Sequence, residues 1–308
     1  MTRTPRASLL APLAACLAVT SVAPRAFASG FLLREQSPAA QGMSFAGVSS
    51  GGSDIGSMFY NPATMTLFQG NQAALGLSCV SPTARLEEAD GTYAAGLPIQ
   101  GSGSTPNASE RAVLPALYAM WSASQDLKLG LSVNAPFGMS TNYNDDFVGR
   151  YHALKTDLEV LDIAPTIAYR LSPRWSVGGA FVARHAKATL TNMVDFGTIA
   201  YAHSVPGYYP GSSDGKATLK GSDWAYGYRL GLVFQPCDSV RLGLARQSAI
   251  NMDLKGHMSL DGVPTALSQL ITGSDAGAAL DLPATTSFGF SIDATPTLSV
   301  HGEVARTD

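Results

Sequence analysis

Four stretches of this chain alternate apolar residues with small or polar ones at the strict period of a β-strand. Leu127, Leu129, Leu131 and Val133 alternate with Lys128, Gly130, Ser132 and Asn134. Trp224, Tyr226, Tyr228, Leu230, Leu232 and Phe234 alternate with Ala225, Gly227, Arg229, Gly231 and Val233. Val240, Leu242 and Leu244, then Phe288, Phe290 and Ile292, repeat the pattern. A soluble sandwich would turn the apolar set inward. Here the other face is Gly, Ser, Arg and Lys, which suits a wet or partly filled lumen. Trp121, Trp175, Trp224 and Tyr226 fall near strand ends, where a membrane barrel places its aromatic girdles. Beyond residue 28 no apolar run reaches the length of a transmembrane helix. The remaining way to span a membrane is a barrel that pairs its backbone groups strand to strand.

Connections alternate in length. Tight turns fall at Ser124-Gln125-Asp126, Ser172-Pro173-Arg174, Pro236-Cys237-Asp238 and Ala294-Thr295-Pro296. Long stretches near 83–110, 193–219 and 259–278 separate them. After each tight turn the chain restarts alike: Leu127-Lys128-Leu129-Gly130, Trp175-Ser176-Val177-Gly178, Val240-Arg241-Leu242-Gly243 and Leu298-Ser299-Val300-His301. Short turns at one end and long loops at the other are the outer-membrane layout. About nine strands are predicted, near 71–81, 111–123, 127–143, 157–171, 175–192, 220–235, 240–256, 280–293 and 298–307. Bacterial barrels hold even numbers of strands, so the reading expects a chain that stops short of closure.

Met1 to Ala28 has the order of a secretory signal peptide: Arg3 and Arg6, an apolar run from Leu9 to Val22, then Ala26-Phe27-Ala28. A membrane anchor is the alternative, weakened by Pro12 and Pro24. A lipobox-like Leu13-Ala14-Ala15-Cys16 is a further one, but apolar residues continue past it. Export would leave Cys79 and Cys237, whose pairing the sequence leaves open. Only 14% of residues are charged and the net charge is −3, without the basic excess of a nucleic-acid binder.

The chemistry-bearing motifs read weakly. Gly47-Val48-Ser49-Ser50-Gly51 fits the G-x-S-x-G of hydrolases but lacks the strand before and the helix after it. An esterase or phospholipase using Ser49 stays as the alternative from another class, and a non-specific porin as a third. His152, His185, His203, His257 and His301 show no ligand spacing, so neither metal nor cofactor is expected. Asp145-Asp146 reads as a solvated turn or a divalent-ion contact. Arg184, Lys187, Arg229 and Arg241 are read as facing inward, either as a carboxylate site or paired with acids such as Asp54 and Glu159. Tyr208 and Tyr209 sit in a long loop, as a greasy outer groove or as loop packing.

An ordered set of motifs adds a resemblance. Ser29-Gly30-Phe31 is followed by a Gly/Ser/Ala-rich stretch and Asn61-Pro62-Ala63. Then come Leu129-Gly130-Leu131-Ser132 leading to Phe137-Gly138, Asn142-Tyr143-Asn144-Asp145, and Ala168-Tyr169-Arg170-Leu171. Leu219-Lys220-Gly221-Ser222-Asp223-Trp224 and Leu280-Asp281-Leu282-Pro283 complete it. Over 29–308 the chain resembles the outer-membrane long-chain fatty acid transporters of FadL type, which include aromatic-hydrocarbon transporters. The resemblance implies an all-β, antiparallel transmembrane barrel of fourteen strands, with a hatch over residues 29–70 inside the lumen and barrel strands over 71–308. It implies a C-terminally incomplete chain, a monomer, and outer-membrane lipid and lipopolysaccharide as surroundings.

Gly30, Phe31, Asn61, Pro62 and Ala63 take the hatch positions. A kink in the third strand, as a lateral exit, falls on Pro136, Phe137 and Gly138; proline and glycine there have their own reason to break a ladder. Phe31 takes the pocket phenylalanine. The family's basic pocket residue lands on Asn192, with Arg184 and Lys187 nearby. Passive uptake of long-chain fatty acids or other hydrophobic compounds is the function implied, with aromatic hydrocarbons the alternative ligand.

Overall fold

The computed structural model describes residues 32–52, 54–93, 96–269, 271 and 273–308. The signal-peptide reading of 1–28 and the assignments to Gly30 and Phe31 lie outside them.

Among the described residues eleven antiparallel strands form one sheet. They are β1 Gln72–Val80, β2 Ala112–Ser122, β3 Leu127–Asn142, β4 Lys155–Arg170, β5 Trp175–Asp195 and β6 Asp214–Cys237. β7 Val240–Gln247, β8 Ile250–Asp261, β9 Ser274–Leu282, β10 Thr285–Thr295 and β11 Leu298–Thr307 complete it. The difference from nine lies in two interruptions. β7 and β8 both pair with β6, and β10 and β9 pair with β7 and β8 in one unbroken register. Each predicted long strand, 240–256 and 280–293, is therefore one span with a break, at Ser248-Ala249 and Pro283-Ala284. Proline removes a ladder donor at the second break. β1 and β11 each pair on one side only among the described residues.

The long connections hold more structure than expected. The stretch 193–219 contains helix α2, Phe196–Ala202, capped by the Asp195 carboxylate, and β6 already begins at Asp214. Phe196, Ala200 and Leu267 bury a small loop core there. Two of the four tight turns stand where the sequence places them, at 123–126 and 171–174; the other two fall two residues later than expected, at Asp238-Ser239 and Pro296-Thr297, because β6 runs on to Cys237 and β10 to Thr295.

One face of the sheet is apolar and exposed. Leu117 and Trp121 on β2, Leu129 and Leu131 on β3, Ile167 and Tyr169 on β4, and Trp224, Tyr226, Tyr228 and Leu230 on β6 are all open to the surroundings. Their neighbours on the other face are buried: Lys128, Ser132, Asn134, Asp162, Thr166, Arg184 and Arg229. That is the inverse of a soluble sandwich. The aromatics rim both ends of the apolar belt, with Trp175 stacked on Phe234 at 4.2 Å near the short turns and Phe181 stacked on Tyr226 at 5.6 Å farther up. No described helix is long and apolar enough to cross a membrane.

The polar face is covered by the N-terminal segment. Helix α1, Pro38–Gly42, leads into three 3₁₀ turns, Val48–Ser50, Ile55–Phe59 and Pro62–Leu67. The first touches β7 and β10, the second β1 and β2, and the third β3 to β6. Some thirty residues reach strands from both halves of the sheet only because the sheet curls around them.

Candidate functional site: a docked segment and an interrupted wall

The turns of the N-terminal segment are set by side-chain caps. Asp54 accepts from Gly56 N at 2.9 Å, and Asn61 accepts from Ala63 N at 3.0 Å, with Pro62 at the first turn position. Asn61 is fully buried, and its amide donates to Leu232 O at 3.0 Å and to Ser49 O. The wall meets these turns with glycines. A Cβ on Gly178 would lie 2.5 Å from Ala63 N, and one on Gly130 would lie 2.6 Å from Met58 Cε and Met65 Sδ. One on Gly231 would overlap Asn61 Oδ1, and one on Gly243 the Ser49 backbone. Gly130, Gly178 and Gly243 are the fourth residues of the repeated strand starts. The small face that reads as a wet lumen is here a seat for the N-terminal segment.

Ser49 belongs to that seat. Gly47 (φ 70°) and Gly51 (φ 127°) flank the 3₁₀ turn, with no strand or long helix adjoining it. Ser49 is fully buried; its hydroxyl bonds Glu303 and, at 2.7 Å, Ser287 Oγ. Its N–H donates to Glu303 Oε2 at 3.2 Å. The nearest histidine chemistry is one serine away, where His301 Nδ1 meets Ser291 Oγ at 2.9 Å and Ser291 meets Ser50. The arrangement fastens the turn to β10 and β11.

The predicted cations divide by face. Residues 184 and 187 are an odd number apart in one strand, so both cannot point inward. Arg184 is buried; Lys187 is exposed on the outer face opposite Glu159, which corrects the expectation that both line the lumen. Arg184 grips Asp162, with Nε to Oδ1 at 2.6 Å and Nη2 to Oδ2 at 2.8 Å, and Arg229 reaches the same carboxylate. The paired acid is Asp162, not Asp54 or Glu159. Arg184 lies over the Phe137 ring at 4.9 Å and Arg229 over Phe59 at 4.3 Å. Arg184 Nη1 and Asn134 Oδ1 are the buried side-chain atoms without a hydrogen-bond partner among the described residues. Arg241 lines the seat near Gly51.

Beside this cluster the wall is interrupted. β2 and β3 pair from Leu117↔Val133 to Ser122↔Lys128. They meet again at Ser109↔Thr141, in the same register, with Glu110 N donating to Ser140 O and Asn142 N to Ala108 O. Between these two points no ladder joins residues 111–116 to residues 134–139, and Phe137 bridges Leu32 of the N-terminal segment instead. The cause is a bulge: Ala135 and Pro136 stand against one residue of β4, because Asn134 pairs Asp162 and Phe137 pairs Val160. The irregularity lies at Ala135-Pro136; Gly138 is already back in register with Glu159. Gly138 instead gives room to Leu33, whose Cδ1 would be 3.3 Å from an added Cβ.

The N-terminal segment answers the bulge. Gln36 is fully buried; its side-chain amide donates to Ala135 O at 2.8 Å and accepts from Ala135 N at 3.1 Å. One side chain replaces the missing strand for both backbone groups of the bulged residue. Leu33 N donates to Pro136 O at 2.8 Å, and Tyr118 hydroxyl, receiving the Asn134 amide, donates to Gln36 O at 2.7 Å. Nearby, burial pushes the Tyr60 phenol well above its ordinary pKa, and it donates to Arg34 O at 2.6 Å.

The gap opens onto a cavity of about 840 Å³. Leu32, Leu33, Leu114, Phe137, Leu158 and Val160 form its apolar floor; Glu110, Arg111, Asp157, Glu159, His185 and Lys187 stand at its mouth. Leu32 and Leu33 also line a smaller space of about 180 Å³ reaching Phe59 and Glu303, so they partition the two. A third space of about 540 Å³ among the long loops contains Tyr93, Tyr151 and Asn192. Asn192 therefore stands apart from the wall cavity, its amide donating to Met193 O at 3.0 Å. Tyr208 packs into the loop core, while Tyr209 is exposed.

Asp145 pairs with Lys216 at 2.9 Å, and no group of metal-binding side chains occurs among the described residues. Cys79 and Cys237 are both free thiols. Sequence reasoning missed Gln36, Asp162 and Glu303, each of which acts on a partner far away in the chain.

Three comparisons bear on this architecture. The profile of the outer membrane protein transport protein family (OMPP1/FadL/TodX) matches residues 19–308. The long-chain fatty acid transport protein of Salmonella typhi is 28% identical over 262 residues, covering 83% of this chain and 58% of that protein. The chain thus spans less than two thirds of that relative's length. A Pseudomonas aeruginosa FadL homologue superposes with a TM-score of 0.74 at 22% identity, covering 91% of this chain and 70% of that one. The Ralstonia pickettii toluene transporter TbuX gives 0.61 at 23% identity, with 82% and 67% covered.

Proposed function

We propose, for a chain that belongs to the outer membrane protein transport family (OMPP1/FadL/TodX) and lies in the bacterial outer membrane, that it passes long-chain fatty acids sideways through its wall. The observation that carries this reading is the gap between β2 and β3, opening onto an apolar cavity with a charged mouth. Residues 29–70 are then a hatch in the lumen, and the rest of the chain the wall around it.

The cavity suits an amphiphile. Its volume falls in the range of small-molecule sites. Leu114, Phe137, Leu158 and Val160 would take an acyl chain, each buried CH₂ contributing about 0.8 kcal/mol. Arg111 and Lys187 at the mouth would meet a carboxylate. Leu32 and Leu33, between the wall cavity and the inner space, are the partition that must shift for a ligand to pass. The bulge at Ala135-Pro136 keeps the strands apart, and Gln36 stabilises the bulge by satisfying its backbone. No covalent step or energy source is needed, since the ligand moves from water to apolar surface and onward to lipid.

The test is uptake of labelled oleate and labelled toluene by cells lacking their own transporter and expressing the protein. Oleate uptake is the expected result, reduced when Arg111 is replaced by Gln. Toluene uptake alone would contradict the fatty-acid reading and favour an aromatic-hydrocarbon channel. Uptake of neither by an inserted protein would refute transport of hydrophobic compounds.

A further inference from the structure

The smaller space behind Leu32 and Leu33 is bordered by one cation and one anion that the lateral route leaves unused. Arg34 and Glu303 both line it, with Leu32, Leu33 and Phe59 on its apolar side. Neither is in an ion pair among the described residues, with the other or with any third group. Arg34 directly follows the two leucines, and its C=O accepts from Tyr60 Oη at 2.6 Å and from Gln36 N at 2.7 Å, which fixes its backbone. Its guanidinium lies over the Phe45 ring at 5.1 Å, a contact that uses one face and leaves the N–H edge free. Glu303 reaches over Gly289, where a Cβ would overlap its Oε2. The Ser49 N–H and hydroxyl take one acceptor position on each of its oxygens. A carboxylate has about four such positions, so Glu303 keeps acceptor capacity toward the space.

The neighbouring charges are engaged elsewhere. Arg229, behind Phe59 and Gln247, is bound to Asp162 and to the Gln247 side chain. Arg241 and His301 flank Ser291 in the next inward row toward the short turns and do not border the space. The two walls thus present a donor of one sign and an acceptor of the other. A carboxylate head would set a second negative charge beside Glu303, and an ammonium head a second positive charge beside Arg34. Like charges oppose each other strongly where water is scarce. An uncharged head with one acceptor and one O–H meets both walls. About 180 Å³ holds such a head with its first methylenes, and the rest of an acyl chain fits past the leucines in the cavity of about 840 Å³.

We propose that Arg34 and Glu303 form a head site for the uncharged form of an acyl ligand, a protonated carboxylic acid or an alcohol. The guanidinium donates to its acceptor oxygen, and Glu303 accepts its O–H. This deepens the transport reading, on which it rests, by naming the form in which the ligand passes the partition. An ionised head between Leu32 and Leu33 would be buried without a partner, at far greater cost than a neutral one. The acid enters the site already protonated, so no proton is transferred within it.

Native mass spectrometry of the whole detergent-extracted protein tests this with three ligands of one chain length: oleyl alcohol, oleyl sulfate and oleyltrimethylammonium. Glu303→Gln removes the charge and keeps an oxygen for the Ser49 N–H. Relative to the alcohol, it should raise affinity for oleyl sulfate roughly tenfold, as loss of one like charge about 10 Å away does at an effective dielectric constant of about 20. Arg34→Gln should raise affinity for oleyltrimethylammonium over the alcohol by roughly the same factor. A merely structural role for either residue would weaken all three ligands together. Ratios that stay at the wild-type values in either variant, or a fall of all three in parallel, would overturn the site. Should E303Q not fold, the ratios of Arg34→Gln decide alone. Oleate uptake by wild type is scored separately: shifted ratios without uptake would sink the transport reading, and uptake with unshifted ratios would sink the head site alone.

Discussion

The seat under Asn61 and the gap beside Pro136 use the same polar face of one sheet in opposite ways. At the seat the wall is fully paired, its side chains are cut to glycine, and backbone touches backbone. At the gap the pairing stops over half a dozen residues, and a glutamine from the N-terminal segment stands in for a strand. The seat is built for permanence, with van der Waals contact and caps that nothing mobile need satisfy. The gap is filled by the Gln36 side chain, the Leu33 N–H and two leucine side chains. The difference sets apart two parts of the N-terminal segment: residues 32–36 are hydrogen-bonded to one side of the sheet, at the interrupted stretch of β3 and at Tyr118 of β2, while 48–66 are locked between opposite sides of the sheet.

The largest expected effect lies next to the gap. Asp162→Ala would leave Arg184 and Arg229 buried without their shared anion, at a cost of about 3–5 kcal/mol in urea-driven unfolding from vesicles. An unchanged midpoint would mean that water already screens the pair, and that this part of the lumen is wetter than the seat. Next comes Gly231→Val, whose side chain would collide with Asn61. Overpacking there should cost about 1–3 kcal/mol and unseat the turn, raising ion conductance in planar bilayers. Unaltered conductance would show that the seat is less essential than its close contacts imply.

How much of this was legible in the sequence depends on the range of the interaction. Period-two alternation placed the strands and the tight turns because each strand's faces are set by its own residues. The recurrence of glycine at the fourth position of three of the four strand starts was visible, but its cause was not, since the atoms it accommodates belong to residues 49–65. The breaks at Ser248 and Pro283 escaped because alternation continues across them. The opposite orientations of Arg184 and Lys187 were legible from their spacing alone. Gln36 was not: a polar residue at the start of a Gly/Ser/Ala-rich stretch reads as solvated until the bulge it serves is known.

Smaller effects separate the two regions further. Gln36→Ala would leave Ala135 N–H and C=O without their partner, a loss of about 1–2 kcal/mol confined to the gap. Hydrogen exchange should quicken at Ala135 and Phe137 while the amides facing Asn61 stay protected; loss of protection at both would make the segment one unit. The smallest effect is a pH response at the upper edge of the gap. Hydrogen bonds from Ser140 and Asn142 hold the Glu110 carboxyl below its usual range. A depressed folded value means that these bonds stabilise the edge above the unfolded carboxylate pKa of about 4.3, and are lost as pH falls through the lower folded value. Protection at Asn142 relative to its intrinsic exchange rate should therefore fall in acid in wild type but stay level in Glu110→Gln.

The most direct test locks the gap. With Cys79 and Cys237 replaced by Ser, Leu114→Cys and Pro136→Cys would stand opposite each other in the register shared by the two flanking ladders. A disulfide between them draws the strands together. Reduced cells should take up labelled oleate; oxidised cells, with the bond confirmed by mass, should fall to the background of cells without the protein and recover on reduction. Uptake that continues through a locked gap would contradict lateral passage.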